Sequence, residues 1–188
     1  MRAMGILLLA TAMAALTLGA CSDPVPDGQI KALGDEDPNV PQGQYHRAGQ
    51  PCVTCHTKYG PASAVPFAVA GTIFATPGGA TGVEDAYVGL TDTTGSSFVV
   101  KTNCVGNFFI KKEEWDPAFP LFVRVYKAGA SRTMQGQIGR ERSCANCHKD
   151  PRGVVTKLSS VGHIYLYGQG DNIPPPQNCP VNPTVGGK

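Results

Sequence analysis

Apolar residues are spread unevenly along this chain, and the changes in texture divide it. The first twenty positions carry one early charge, Arg2, then the run Gly5-Ile6-Leu7-Leu8-Leu9-Ala10 continuing through Ala14-Ala15-Leu16. That is the basic start and short apolar stretch of a secretory signal, too short and too rich in small residues for a bilayer span. Residues 21–44 hold Pro24, Pro26, Pro38 and Pro41, several acids and little apolar surface, a composition that predicts a flexible tether. Short runs rich in β-branched and aromatic residues follow: Phe67 to Ala75, Ala86 to Thr91, Ser97 to Thr102, Asn107 to Lys111 and Leu121 to Lys127, with a weaker Thr133 to Ile138. Pro77-Gly78-Gly79, Asp92-Thr93-Thr94-Gly95 and Val105-Gly106-Asn107 are turn signals between them. In Val161 to Tyr167 the alternation puts Val161, His163, Tyr165 and Tyr167 on one face and Ile164 with Leu166 on the other, which predicts a final strand.

This pattern predicts a mainly β protein with few or no long helices: a small Greek-key-type β-sandwich with functional loops at its two ends. The 23 Gly and 16 Pro among 188 residues agree with short elements. The expected segments are a signal at 1–20, a tether at 21–44, a loop segment at 45–66, the sandwich at 67–138, a second loop segment with the last strand at 139–168, and a Pro-rich tail at 169–188. Sixteen Lys and Arg against fourteen Asp and Glu, scattered rather than striped, exclude a phosphate-neutralising surface and hence nucleic acid. Glu84, Asp85 and Asp92 lack the spacing of a calcium loop and read as surface acids.

Seven cysteines and four histidines carry the chemistry. Cys52-Val53-Thr54-Cys55-His56 and Cys144-Ala145-Asn146-Cys147-His148 are both C-x-x-C-H, the attachment pattern of c-type haem. Two thiols add to the porphyrin vinyl groups, and the imidazole that follows, His56 or His148, is the proximal iron ligand. A zinc ribbon would keep its cysteine pairs about 15 to 20 residues apart, far less than the separation of Cys55 from Cys144, and a thioredoxin-like pair needs a βαβ setting. Two haem c groups are therefore the expected cofactors. Of the remaining histidines, His46 precedes the first motif in a pattern that resembles the H-x-x-G-x-x-C-x-x-C-H arrangement of multihaem cytochromes, and His163 follows the second. They are the candidate distal ligands, with Met134 as an alternative that would raise the potential. Local pairing puts His46 with His56 and His163 with His148, and crossed pairing would interlock the two ends of the chain; the sequence leaves both open, and the short intervening segments lean to the local one.

Leu18-Gly19-Ala20-Cys21 resembles the lipobox of bacterial lipoproteins, which implies that Cys21 is lipidated and becomes the first mature residue. Several acyl chains on one terminus give stable membrane attachment, and Ser22 at the next position implies an outer-membrane address. Once the lipid acceptor and the four thioether donors are assigned, Cys104 and Cys179 remain, and an even remainder outside the cytoplasm predicts a disulfide closing a loop of about 75 residues. The stretch from Ala70-Gly71-Thr72-Ile73-Phe74 through Ala86 to Asp92 and on to Thr102-Asn103-Cys104-Val105-Gly106-Asn107-Phe108 resembles the carboxypeptidase-regulatory-like, transthyretin-like β-sandwich. That resemblance implies a scaffold more than an activity.

The resulting expectation is a lipid-anchored di-haem c-type cytochrome that relays electrons at the bacterial envelope, not an enzyme, on the periplasmic or surface face of the outer membrane. Its partners would be redox proteins, other multihaem cytochromes or a porin. Arg47, Lys58, Arg140, Arg142, Lys149 and Arg152 flank the motifs and would orient an acidic partner or pair with haem propionates. Two other classes stay open: a small haem enzyme or redox sensor with one open iron, and a surface binding or assembly module in which haem is auxiliary.

Overall fold

The computed structural model describes residues 24–149, 160–177 and 179–183. Cys21, the preceding signal and Arg152 lie outside the described residues. Two compact units are present, one ending at Gly34 and one beginning at Asp35.

The first unit contains α1, Pro24–Ala32, where the composition predicted a tether. Local signals account for the difference. Pro24 and Pro26 fall in the first turn, where a missing N–H costs nothing because no intrahelical partner exists for it. Asp27 lies near the start and Lys31 in the last turn, each favourable to the helix dipole. Gly34, at φ 72°, ends the segment, with its N–H donated to the Lys31 carbonyl at 3.2 Å. No residue of α1 is buried.

The second unit is mainly β and has two sheets. Strands β1 (Phe67–Thr72) and β4 (Asn107–Lys111) form an antiparallel pair. Strands β2 (Tyr87–Thr91), β3 (Ser97–Lys101), β5 (Phe122–Lys127) and β6 (Ala130–Thr133) form an antiparallel sheet in the order β3-β2-β5-β6. The chain changes sheet between β1 and β2, between β3 and β4, and between β4 and β5. Val69, Phe108 and Ile110 from the first sheet and Val88, Leu90 and Val125 from the second share one buried cluster with Ile73, Leu121 and Leu166. The core thus lies between two sheets, a sandwich-like arrangement.

β1 is buried at all six positions, whereas β2 and β3 are exposed or half-buried at alternate residues. A strand of a two-stranded sheet is buried on both faces only if something other than the facing sheet covers it. Here both C-x-x-C-H turns pack against β1.

The folded unit begins earlier than the predicted Tyr45. Glu36 pairs with Arg47 at 3.2 Å, and the Gln44 carbonyl accepts from the side-chain amides of Asn103 and Asn107 at 2.7 and 3.2 Å. Cys104 and Cys179 are joined in a disulfide, 75 positions apart, inside a small cluster with Ala48, Val105, Tyr45 and Val181. It fastens the tail beside the segment that leads into the first motif.

Two predicted strands are not formed. Thr133 to Ile138 is replaced by β6 three residues earlier, and Ile138 only bridges Leu121. Val161 to Tyr167 contributes a single bridge, Tyr165 to Phe74. Gly162, at φ 85°, breaks the pleat, so Val161 is exposed while His163, Leu166 and Tyr167 are buried.

Candidate functional site

The two motifs have the same local construction despite unrelated flanks. Each opens with a three-residue 3₁₀ turn, Cys52–Thr54 and Cys144–Asn146. In the first, the Cys52 carbonyl accepts from the N–H groups of Cys55 and His56 at 3.1 and 3.0 Å; in the second, the Cys144 carbonyl accepts from Cys147 and His148 at 3.2 and 2.8 Å. One carbonyl thereby gathers both the second cysteine and the histidine of each motif.

The chain then returns to receive the imidazole. His56 Nδ1 lies 2.8 Å from the Val65 carbonyl and His148 Nδ1 lies 3.0 Å from the Gly162 carbonyl. A carbonyl only accepts, so Nδ1 carries the proton and Nε2 keeps the lone pair, the tautomer a metal ligand needs. Burial holds the His56 imidazole below its usual pKa, against the Val65 hydrogen bond, and the neighbouring His46 adds to the lowering. His56 is neutral at pH 7. Its ring stacks on Phe67 at 4.0 Å, and Phe67 stacks on Phe109 at 4.8 Å.

The other two histidines stand beside these. The ring centres of His46 and His56 are 5.9 Å apart, with planes 30° from parallel. Two imidazoles sharing one metal ion through nitrogen atoms at about 2 Å would have centres about 6 Å apart. His46 Nδ1 contacts the Gly43 carbonyl. His163 is buried, stacks on Phe74 at 3.9 Å and has Nδ1 3.3 Å from the Gly79 carbonyl. His163 and His148 line one cavity of about 440 Å³ together with Cys144, Cys147 and Met134. That volume is in the range of cofactor sites, about 300–1,000 Å³. All four histidines therefore direct Nδ1 at a backbone carbonyl.

Cys52, Cys55, Cys144 and Cys147 are not in disulfides. Burial pushes the Cys52 thiol up to about 11 and the Cys144 thiol up to about 12, the latter raised further by the charge of Cys52. Burial also raises Cys55, partly offset by Arg47. Cys52, Cys55 and Cys144 are therefore protonated thiols at neutral pH.

The first cysteines of the two motifs are neighbours. Ser143 bridges Ala70 of β1, and the Ala70 N–H donates to the Arg142 carbonyl at 3.0 Å. The Ser143 hydroxyl, fully buried, accepts from the Val53 N–H at 3.4 Å. A side chain at Gly71 would meet Cys144 and Phe108 at 3.0 Å or less. Small residues on β1 thus let both turns approach one strand.

No family model, curated protein or solved structure matches this chain. The chemistry must be read from the residues themselves. Among the described residues no three His, Cys, Asp or Glu side chains form a metal-ion cage. A haem iron asks for none, since the porphyrin supplies the equatorial nitrogens and the protein only axial ligands. Two thiols and an imidazole per motif, with a second imidazole close by, fit that group.

The flanking cations separate into distinct roles. Arg47 is used by Glu36 and by the Gln50 side chain at 2.7 Å. Arg142 is used by Asp116 and the Ala68 carbonyl, both at 3.1 Å. Lys58 lies 5.1 Å from the Tyr59 ring centre, and Arg140 lines the cavity. Sequence reasoning missed Arg132, which lines the same cavity, and the carbonyls of Val65 and Gly162, because a backbone acceptor leaves no mark in the sequence. Glu84 and Asp85 are spent elsewhere, Glu84 on the Gln177 N–H and Asp85 on Lys101.

Proposed function

We propose that this protein is an exported, lipid-anchored di-haem c-type cytochrome that relays electrons at the bacterial envelope. The observation that carries the proposal is the twice-repeated construction in which a C-x-x-C-H turn presents two thiols and an imidazole fixed by its Nδ1 on a carbonyl, with a second histidine alongside. Bound haem iron would supply one reversible one-electron couple at each centre.

The chain's own residues divide the remaining work. Cys52 and Cys55, and Cys144 and Cys147, hold the macrocycles by thioethers. His56 and His148 would each ligate an iron, and His46 and His163 would be the partner ligands in local pairs. The 5.9 Å spacing of His46 and His56 and the cavity shared by His148 and His163 support that pairing over a crossed one. Two histidines held on each iron would leave no position for substrate, which favours relay over catalysis. Leu18-Gly19-Ala20-Cys21 supports the anchor, and Ser22 the outer membrane as its destination, with redox proteins at the envelope as partners.

Intact mass of the mature protein, made in a host that installs haem c, tests the reading: two added macrocycles are expected, and a mass with neither overturns it. An electron paramagnetic resonance spectrum of the oxidised protein should show two low-spin centres. Acyl chains on the N-terminal peptide, lost in Cys21→Ala, test the anchor separately.

A further inference from the structure

The cavity beside the second motif holds a cation that electron relay leaves without a role. Arg132 stands on β6, opposite Val125 of β5. Its guanidinium is fixed twice: the central carbon lies 4.2 Å from the centre of the Tyr165 ring, and Nε donates to the Leu166 carbonyl at 3.1 Å. Both anchors belong to the segment that carries His163. A guanidinium offers five N–H donors in a planar fork. One is used at Nε, and among the described residues the four on the terminal nitrogens have no partner.

The other charged groups of the cavity differ from Arg132. The Glu141 carboxylate accepts the Ser143 N–H at 2.7 Å. Arg140 also lines the cavity, and no contact fixes its guanidinium among the described residues. Arg132 alone combines a fixed position with an unused fork. A fork already held against an aromatic ring loses little further freedom on binding a carboxylate, and it matches that group with two parallel hydrogen bonds. The same cavity is walled by Val123, Val125, Ile138 and Ile164, so it suits a flat apolar body with a carboxylate on its rim.

We infer that Arg132 is a carboxylate anchor, a positioning residue that takes a propionate of the macrocycle attached at Cys144 and Cys147 and so sets its orientation and potential. The inference rests on the di-haem reading. Neutralising a propionate favours the reduced, less positive iron, so loss of Arg132 lowers the potential of the second centre.

The test uses the full mature protein. Intact mass is taken first, then potentiometric titration and the resonance Raman propionate band for the wild type, Arg132→Gln, Arg132→Lys and Arg124→Gln. Arg124→Gln removes the same charge from β5 outside the cavity. Cys144→Ser/Cys147→Ser identifies the second centre. Arg132→Gln should shift the reduction equilibrium of that centre on the order of tenfold, 59 mV for one electron, and move its propionate band. Arg132→Lys should keep most of the potential while moving the band, and Arg124→Gln should change neither. Two haems in the wild type with potentials and band unmoved in Arg132→Gln overturn the anchor and leave the relay reading standing; a wild type without haem overturns both. If Arg132→Gln does not accumulate, Arg132→Lys decides alone, and an unmoved band in it overturns the anchor.

Discussion

Gly71 is where the fold and the second site compete for the same space, so Gly71→Ala tests whether β1 is the wall that both motifs lean on. A methyl group there would stand 2.8 Å from Cys144 Cβ, 2.9 Å from Cys144 Sγ and 3.0 Å from Phe108 Cε1. Carbon atoms in contact normally sit about 3.5–4.0 Å apart, so something must move by about 0.7 Å or more. Neither neighbour yields easily. The Cys144 carbonyl is bonded to Cys147 and His148, and the adjoining Ser143 is bridged to Ala70. Phe108 is 2% exposed, in the middle of the core. Overpacking of this kind costs about 1–3 kcal/mol. Gly71 is not among the positive-φ glycines, so alanine also narrows the unfolded ensemble and returns about 0.4–1 kcal/mol. The two ranges combine to a net loss between about 0 and 2.6 kcal/mol, centred near about 1.3 kcal/mol, against a total of about 5–15 kcal/mol. Guanidinium unfolding of the purified protein reads this as a lower midpoint with an unchanged slope. Intact mass should show a rise in single-haem species, with the missing group at Cys144 and Cys147. A midpoint equal to or above wild type, with full loading of the second motif, would refute the claim that this strand and that turn are in close contact.

Three further outcomes are expected. Cys104→Ser/Cys179→Ser reopens a loop of 75 positions and should lower stability by about 4.5 kcal/mol on the chain-entropy relation; a midpoint within experimental error of wild type would show that the tail contributes nothing through this bond. His163→Ala should leave the second iron five-coordinate, so that carbon monoxide shifts the reduced spectrum of that centre alone; an unshifted, fully low-spin spectrum would remove His163 from the axial position. The Asp92 carboxyl is held below its usual range by the Thr94 hydroxyl and by the N–H groups of Ala118, Thr94 and Ser96. Its stabilising effect is therefore present above the unfolded carboxyl value, about 3.9, and disappears as pH falls through the lower folded one. The midpoint gap between wild type and Asp92→Asn should be constant near neutrality and close in acid; a gap unchanged to pH 2 contradicts this.

Strand interiors were legible in the sequence because a run of β-branched and aromatic residues bounded by turn residues has few other outcomes. Asn107 to Lys111 forms as predicted, and the predicted runs Ser97 to Thr102 and Leu121 to Lys127 each lose only one terminal residue. Ends were less legible, since they depend on where individual N–H groups go. The first run stops at Thr72 because the Ile73 N–H turns to the Gly106 carbonyl and that of Phe74 to the Ile164 carbonyl. Ala86 leaves the ladder because its N–H is taken by the Thr102 hydroxyl at 2.9 Å. The candidate site was legible as a residue set through motif spacing. Its construction was not, because Val65 and Gly162 act through their carbonyls, and Phe67 and Phe74 read as ordinary core residues.

The motifs are far apart in sequence, yet one strand serves both, and this follows from the size of the sheets. In a two-stranded sheet β1 has a free edge, and the facing sheet covers only one of its faces, so its buried residues need further cover. The segments ending in Cys52 and Cys144 provide it, with the Gly49 N–H on the Thr72 hydroxyl at 2.8 Å and the Arg142 side chain on the Ala68 carbonyl at 3.1 Å. Phe-Ala-Val-Ala-Gly-Thr suits this double duty: Val69 enters the core, and the small Ala68, Ala70 and Gly71 admit the covering chain. The same residues that hold the C-x-x-C-H turns therefore complete the sandwich. A substitution at either motif that displaces its turn should consequently be felt at the other through β1 and through Ser143, which accepts from the Val53 N–H and bridges Ala70.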